Sequence, residues 1–230
     1  MKSLLIAAIA FFTSLSAVIA DDEMPELITQ GSLVVNGKQE AVTLIRPRHR
    51  SPGAKVPLLV APGSRNYSDP TFFWGDAPTD LGWAIVQTEK LYRGTPEELM
   101  AVINAVKTRL RLESIEIDDI HLIGWSANSG AAARHAAALG PDITSVSFIP
   151  GYGTGRTVDD ICAHKNLRVN FITGSRDRPW LRGAERMRDQ LERCGMPNVS
   201  FTIIEDGGHV LREISGEPLF RILNSARSTR

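Results

Sequence analysis

The sequence has no charge imbalance, little lysine, little cysteine, little tyrosine and no long apolar run. Lys plus Arg and Asp plus Glu each total 26 in 230 residues, so the formal net charge is zero. No global field therefore draws the chain toward nucleic acid or an anionic membrane. Only 6 of the basic residues are Lys and 20 are Arg. Arginine suits bidentate anion contacts, but base composition is the simpler source of such a bias. The most apolar stretch, Leu4 to Leu15, is short of the ~20 residues a membrane-spanning helix needs. No internal repeat, low-complexity tract, metal-ligand cluster, phosphate loop or cofactor fingerprint is present, and the Gly-rich stretch Gly151 to Gly155 matches none of them. No metal and no cofactor are expected.

What is present is enough for one sizeable core. Hydrophobic residues make up 43% of the chain, and the length suits a single domain over residues 21–230. Residues 1–20 read as an export signal: Lys2 opens them, Leu4 to Leu15 follows, and Val18-Ile19-Ala20 precede a cut before Asp21. The alternative is an N-terminal anchor. Export predicts a periplasmic or secreted protein in an oxidising compartment. Cys162 and Cys194, the two cysteines, are then expected to form a disulfide. It would close a loop of about thirty residues and contribute ~3–4 kcal/mol. The alternative is a pair of buried free thiols.

Gly31 to Arg46 reads as a hairpin, Ser32 to Val35 and Ala41 to Ile45, around the turn Asn36-Gly37. The pattern then changes to alternating strand and helix. Val56 to Ala61 and Trp83 to Val86 are continuous apolar runs, the mark of strands buried on both faces, and Ile120 to Ile123, Val146 to Ile149, Leu167 to Thr173 and Val199 to Ile204 read as four more strands. Thr95-Pro96-Glu97-Glu98 is a capping box that opens a helix, with Leu99, Val102, Ile103, Val106 and Leu110 on one face. Further helices are expected over Ala127 to Leu139, Trp180 to Arg193 and Val210 to Ser225. This alternation predicts an α/β fold, a doubly wound and mostly parallel sheet preceded by the hairpin. A ligand then sits beyond the carboxyl ends of the strands.

Three residues at those ends can do chemistry together. Ile120 to Ile123 runs into Gly124-Trp125-Ser126-Ala127-Asn128, and small residues begin a helix. A sharp strand-to-helix turn lifts the serine hydroxyl clear of the sheet and aims a helix N-terminus at it. The same pattern also fits an ordinary N-cap serine. A serine needs an adjacent base that is itself oriented by a third group. The loop after the fifth apolar strand holds Asp177, in Gly174-Ser175-Arg176-Asp177-Arg178-Pro179. The loop after the sixth holds His209, in Glu205-Asp206-Gly207-Gly208-His209. The plainer reading has Asp177 cap the following helix and leaves His209 as a surface residue. Glu205 and Asp206 are too near His209 in sequence to be its partner, and Asp142 falls on the opposite edge. His121 and His135 read as structural.

The order Ser126, Asp177, His209 on strand ends resembles the α/β-hydrolase superfamily, over about residues 55–225. The chain looks like a compact lidless member, similar to dienelactone hydrolases and small carboxylesterases. The family's turn is Gly-x-Ser-x-Gly, and Asn128 stands where the last glycine is usual. The resemblance implies Ser126 as nucleophile, His209 as general base and Asp177 as the acid that orients it. It implies an oxyanion hole from the N–H of Ala127 and from Ser64 or Arg65, in the loop after the first buried strand. It also implies an ester hydrolase working through an acyl-enzyme.

Pro150 to Asp160 leaves only a short Gly-rich loop where larger members carry a lid, which suits small or polymer-end esters. Tyr67, Tyr92 and Tyr152, placed in loops at strand ends, and Trp125 are candidate substrate-binding residues. Arg65, Arg93, Arg176 and Arg178 lie on the same rim. A thioesterase or peptidase would use the same triad. A non-catalytic binding protein on the same fold would keep the sheet without an activated serine. No nucleic acid and no stable membrane span in the mature chain are expected as partners, and the sequence leaves the oligomeric state open.

Overall fold

The computed structural model describes residues 26–48, 55–63, 73–225 and 227. Its frame is an eight-stranded sheet in the order β1-β2-β4-β3-β5-β6-β7-β8. The strands are β1 (Ile28–Val35), β2 (Lys38–Ile45), β3 (Lys55–Pro62), β4 (Ala84–Thr88), β5 (Glu116–Gly124), β6 (Ser145–Phe148), β7 (Arg168–Gly174) and β8 (Val199–Ile204). β1 and β2 form the expected antiparallel hairpin, with Val35 opposite Lys38. Asn36 and Gly37 both take positive φ, as a two-residue turn of the right twist demands. β2 runs antiparallel to β4, and every pair from β4 to β8 is parallel. All the serine, acid and histidine loops therefore leave the sheet at one edge.

Seven helices connect the strands among the described residues: α1 (Ala77–Asp80), α2 (Lys90–Arg93), α3 (Pro96–Leu112), α4 (Ser129–Leu139), α5 (Arg156–Cys162), α6 (Arg178–Arg193) and α7 (Glu217–Ser225). They cover both faces of the sheet, because its strands present apolar residues on both. Leu58 and Val60 of β3 join the core under α3, α4, α5 and α6. Leu59 and Ala61 point the other way, into the core under α7 with Phe73, Trp74 and Trp83. α3 buries Leu99, Val102, Ile103, Val106 and Leu110, the face read from its spacing, and Thr95 and Glu98 complete the capping box. Each fully buried aliphatic side chain contributes about 1.5–3 kcal/mol of transfer free energy. Cys162, the last residue of α5, is bonded to Cys194 just past α6.

Several expectations need correction. The closing helix over 210–225 is two pieces, a single 3-10 turn at Arg212–Ile214 and then α7. Leu211 and Gly216 both take left-handed backbone (φ 52° and 75°), which no continuous helix tolerates. Tyr92 stands in α2, on a helix rather than in a loop, and is exposed. The run before β7 holds α5, so the open loop after β6 ends at Gly155. The proposed export signal, residues 1–20, lies outside the described residues, as do Ser64, Arg65 and Tyr67. No described helix is long and apolar enough to cross a membrane.

Candidate active site

β5 ends at Gly124, and its neighbours explain the glycine. A Cβ there would stand 2.7 Å from the Ala132 Cβ and 2.8 Å from the Ser129 Cα. Only a hydrogen lets α4 pack against the strand this closely. The close approach of helix and strand falls at residue 124. Asn128 has ordinary helical backbone (φ −82°, ψ −13°) at the start of α4 and meets no such restriction. Between them Ser126 takes left-handed backbone, φ 49°. For a non-glycine residue that conformation costs on the order of 1–3 kcal/mol and persists only where the surroundings impose it. Here the Ser126 N–H donates to the Pro150 carbonyl at 2.8 Å, and the buried Ser129 hydroxyl donates to the Ser126 carbonyl at 2.6 Å.

The turn Ser126–Asn128 is a 3-10 turn that runs straight into α4. The Ala127 N–H is among its first amides, which a helix start leaves without an intrahelical acceptor. Ala127 itself is exposed. It therefore offers a donor next to Ser126, the residue from which the resemblance leads one to expect one half of an oxyanion hole.

Asp177 and His209 come from neighbouring loops laced together by backbone. Ser175 N–H donates to the Ile204 carbonyl at 3.0 Å and Arg176 N–H to the Gly207 carbonyl at 3.0 Å. The Ser175 hydroxyl accepts from the Asp206 N–H at 2.9 Å. Gly174 is the contact point. A Cβ on it would stand 2.6 Å from the Gly208 oxygen and closer still to the Gly207 carbonyl.

The three side chains meet. His209 Nε2 is 2.9 Å from Ser126 Oγ, and His209 Nδ1 is 2.6 Å from Asp177 Oδ2. Asp177 occupies the N-cap position of α6 but makes no side-chain cap bond. Its carboxylate is spent on the imidazole and is nearly buried, with 10% of the side chain exposed, against 40% for His209. With Nδ1–H donated to the carboxylate, Nε2 carries the lone pair and faces the hydroxyl. That arrangement can take a proton from Ser126 and return it to a group leaving on the same side.

Aromatic rings stand near the site. Trp125 is half-buried with its ring 4.1 Å from that of Phe73. Trp180, in the first turn of α6, lies 5.3 Å from the His209 ring and 5.4 Å from that of Tyr152. The sequence reading included Tyr152 and Trp125 and missed Trp180. Its proximity depends on contacts across the fold, and only the position of Trp180 three residues after Asp177 hints at it.

The competing residues lie elsewhere. His121 sits inside β5, fully buried, with Nδ1 2.8 Å from the Ser145 hydroxyl. Burial holds its pKa down at about 4. His135 is buried in α4, and burial lowers its pKa too. Glu205 and Asp206 are exposed in the histidine loop. Asp142 belongs to a 3-10 turn after α4, before β6 begins and so at the opposite edge. No group of three or more His, Cys, Asp or Glu residues able to hold a metal occurs among the described residues.

No family model and no curated protein sequence matches the chain. Solved structures do match. Dienelactone hydrolase from Anabaena variabilis is 18% identical over 86% of this chain and 94% of its own, with a TM-score of 0.60. The esterase domain of a Rhodothermus marinus protein is 16% identical over 86% and 98%, with a TM-score of 0.60. The feruloyl esterase module from Clostridium thermocellum is 10% identical over 83% and 86%, with a TM-score of 0.61. The strand order, the parallel half of the sheet and these neighbours agree that the chain has the α/β-hydrolase fold, in a compact form with no large lid among the described residues.

Proposed function

We propose that the protein is a serine hydrolase that cleaves carboxylic esters through an acyl-enzyme on Ser126, and that it acts after export. One observation carries the reading. A serine in left-handed backbone faces His209 Nε2 at 2.9 Å while Nδ1 is bound to Asp177 at 2.6 Å. A serine that merely capped a helix would need neither the strain nor the imidazole.

His209 Nε2 takes the Ser126 proton as Oγ bonds to the ester carbon. The carbonyl oxygen becomes an oxyanion, and the Ala127 N–H faces it. Ser64 or Arg65 supplies the second donor. The tetrahedral intermediate collapses, the carbon–oxygen bond to the alcohol breaks, and the imidazolium proton leaves with the alcohol. A water molecule then gives a proton to His209 and attacks the acyl carbon. Collapse releases a carboxylic acid and returns the proton to Ser126. Asp177 keeps its charge throughout and stabilises the imidazolium.

Only residues 149–155 separate β6 from α5. So short a connection leaves the serine approachable and favours small or polymer-end esters over long acyl chains. The dienelactone hydrolase and feruloyl esterase among the neighbours are ester-cleaving proteins and support that class. Export is supported by the character of residues 1–20 and by the Cys162–Cys194 disulfide.

The test is covalent. The mature protein is incubated with a fluorophosphonate beside Ser126→Ala and His209→Ala variants, and labelling is read by intact mass. Labelling that requires both residues is the expected result. A folded wild-type protein that takes no label contradicts the mechanism.

A further inference from the structure

The histidine is held at one edge by Asp177 and faces Ser126 with Nε2, and its own loop, among the described residues, offers it little else. Gly207 and Gly208 precede it, Val210 is exposed, and Leu211 takes left-handed backbone. Two-fifths of the imidazole side chain is open to solvent. A hydrogen bond to one ring nitrogen fixes the tautomer but leaves the ring free to rock about that bond. Rocking carries Nε2 away from Ser126.

Trp180 supplies the missing contact. It follows Asp177 by three residues, so one short segment touches the imidazole twice, the carboxylate on an edge and the indole across a tilted face at 5.3 Å and 49°. The indole is in turn backed by Tyr152 at 5.4 Å. Tyr152 has room there because residue 183, one turn further along α6, is glycine. A Cβ at 183 would stand 2.5 Å from the Tyr152 Cζ and closer still to its Cε1 and Cδ1. The tyrosine loop is pinned to the same helix one turn further on, where the Gly153 N–H donates to Met187 Sδ at 2.9 Å. The result is a column of three rings, Tyr152, Trp180 and His209, standing on a glycine in the middle of a helix. Glycine in a helix interior costs about 0.5–1 kcal/mol relative to alanine, and the slot for Tyr152 accounts for its presence.

We propose that Trp180 is a positioning residue for His209, holding the imidazole face so that Nε2 stays in line with Ser126 Oγ. The proposal rests on the serine-hydrolase reading for its effect on rate, but its structural content stands apart from it. The indole takes no part in the proton transfers, so its loss lowers the fraction of enzyme in the reactive geometry.

The test compares Trp180→Ala, Trp180→Phe and Gly183→Ala with wild type. Steady-state kinetics on a soluble acetate ester give kcat and KM separately. Proton NMR follows the low-field resonance of the His209 Nδ1–H held by Asp177. The expected result for Trp180→Ala is a kcat lower by roughly three- to tenfold, the change in population that one aromatic pair sustains. KM should stay within about twofold, and the low-field resonance should broaden or vanish. Trp180→Phe keeps a ring and restores most of both. Gly183→Ala favours the helix yet displaces Tyr152, so it lowers kcat while the protein stays folded. A wild-type kcat and resonance in Trp180→Ala, or equal losses in Trp180→Ala and Trp180→Phe, overturn the proposal. If wild type takes no fluorophosphonate label, the hydrolase reading fails instead, and the NMR comparison still decides whether Trp180 orders the imidazole.

Discussion

Replacing Gly174 by alanine pushes apart the two loops that bring Asp177 to His209. The new Cβ would lie 2.6 Å from the Gly208 oxygen and nearer to the Gly207 carbonyl, where ordinary carbon–oxygen contact needs ~3.3–3.6 Å. The obstacle is backbone on both sides, so no side chain can swing away. The histidine loop must retreat by about 1 Å, and it carries His209 only one residue beyond Gly208. A displacement of that size in a reacting group costs on the order of 100-fold in rate. Overpacking costs about 1–3 kcal/mol of stability, and for a chain of this length each kcal/mol lowers Tm by roughly 2–4 °C. The variant should therefore remain folded at 25 °C while losing most of its activity. The assay is kcat on an acetate ester, paired with a thermal melt. A Gly174→Ala protein that melts a few degrees low but turns over at the wild-type rate would refute the claim that the loop contact sets the triad.

Other predictions concern the scaffold. Arg46 is buried and grips Glu113 at 2.6 and 3.1 Å, tying the end of β2 to the end of α3. Arg46→Ala leaves that carboxylate nearly buried with Arg109 as its remaining partner, and should cost about 1–3 kcal/mol by chemical denaturation. Burial pushes the Glu113 carboxyl up, but hydrogen bonds from Arg46 and Arg109 outweigh it and hold the pKa below the usual carboxylate value. The stability this pair contributes is thus present above about pH 4.3, the unfolded value, and is lost as pH falls through the folded one. The Arg46→Ala variant should lack that part of the acid dependence. His121 acts in the neighbouring window. Its folded pKa of about 4 lies below the ordinary 6.5, so the unfolded chain binds the proton first. Stability should decline as pH drops from 6.5 toward 4, by at most ~1.4 kcal/mol per pH unit. His121→Phe should flatten that slope, and an unchanged slope would assign the acid sensitivity elsewhere. Converting Cys162 and Cys194 to alanine together should lower Tm by roughly 10 °C, with little change in kcat.

Much of this was legible in the sequence, for physical reasons that differ by element. The central strands are buried on both faces, so runs such as Val56 to Ala61 appear whatever the register. The Asn36-Gly37 turn and the Thr95 capping box are local chemistry and need no tertiary information. Ser126, Asp177 and His209 could be grouped because parallel strands deliver all their following loops to one edge. α1 and α2 were missed because four residues form only one turn and show no period. The break at Gly216 was hidden by apolar spacing that continues through it, from Leu211 and Ile214 to Leu219 and Phe220. The ring column at His209 was out of reach. Tyr152 and His209 lie in two loops and Trp180 in the first turn of α6, and the glycine at 183 leaves the space that Tyr152 fills.

The most direct measurement is to catch the acyl group. Wild type and Ser126→Ala are mixed with 4-nitrophenyl acetate, quenched in the steady state and analysed by intact mass and peptide mapping. The account predicts an acetyl adduct on the peptide that carries Ser126 in wild type, a matching burst of nitrophenol, and neither in Ser126→Ala. Wild-type turnover with no adduct, an adduct on another residue, or a Ser126→Ala protein that hydrolyses at the wild-type rate would contradict it.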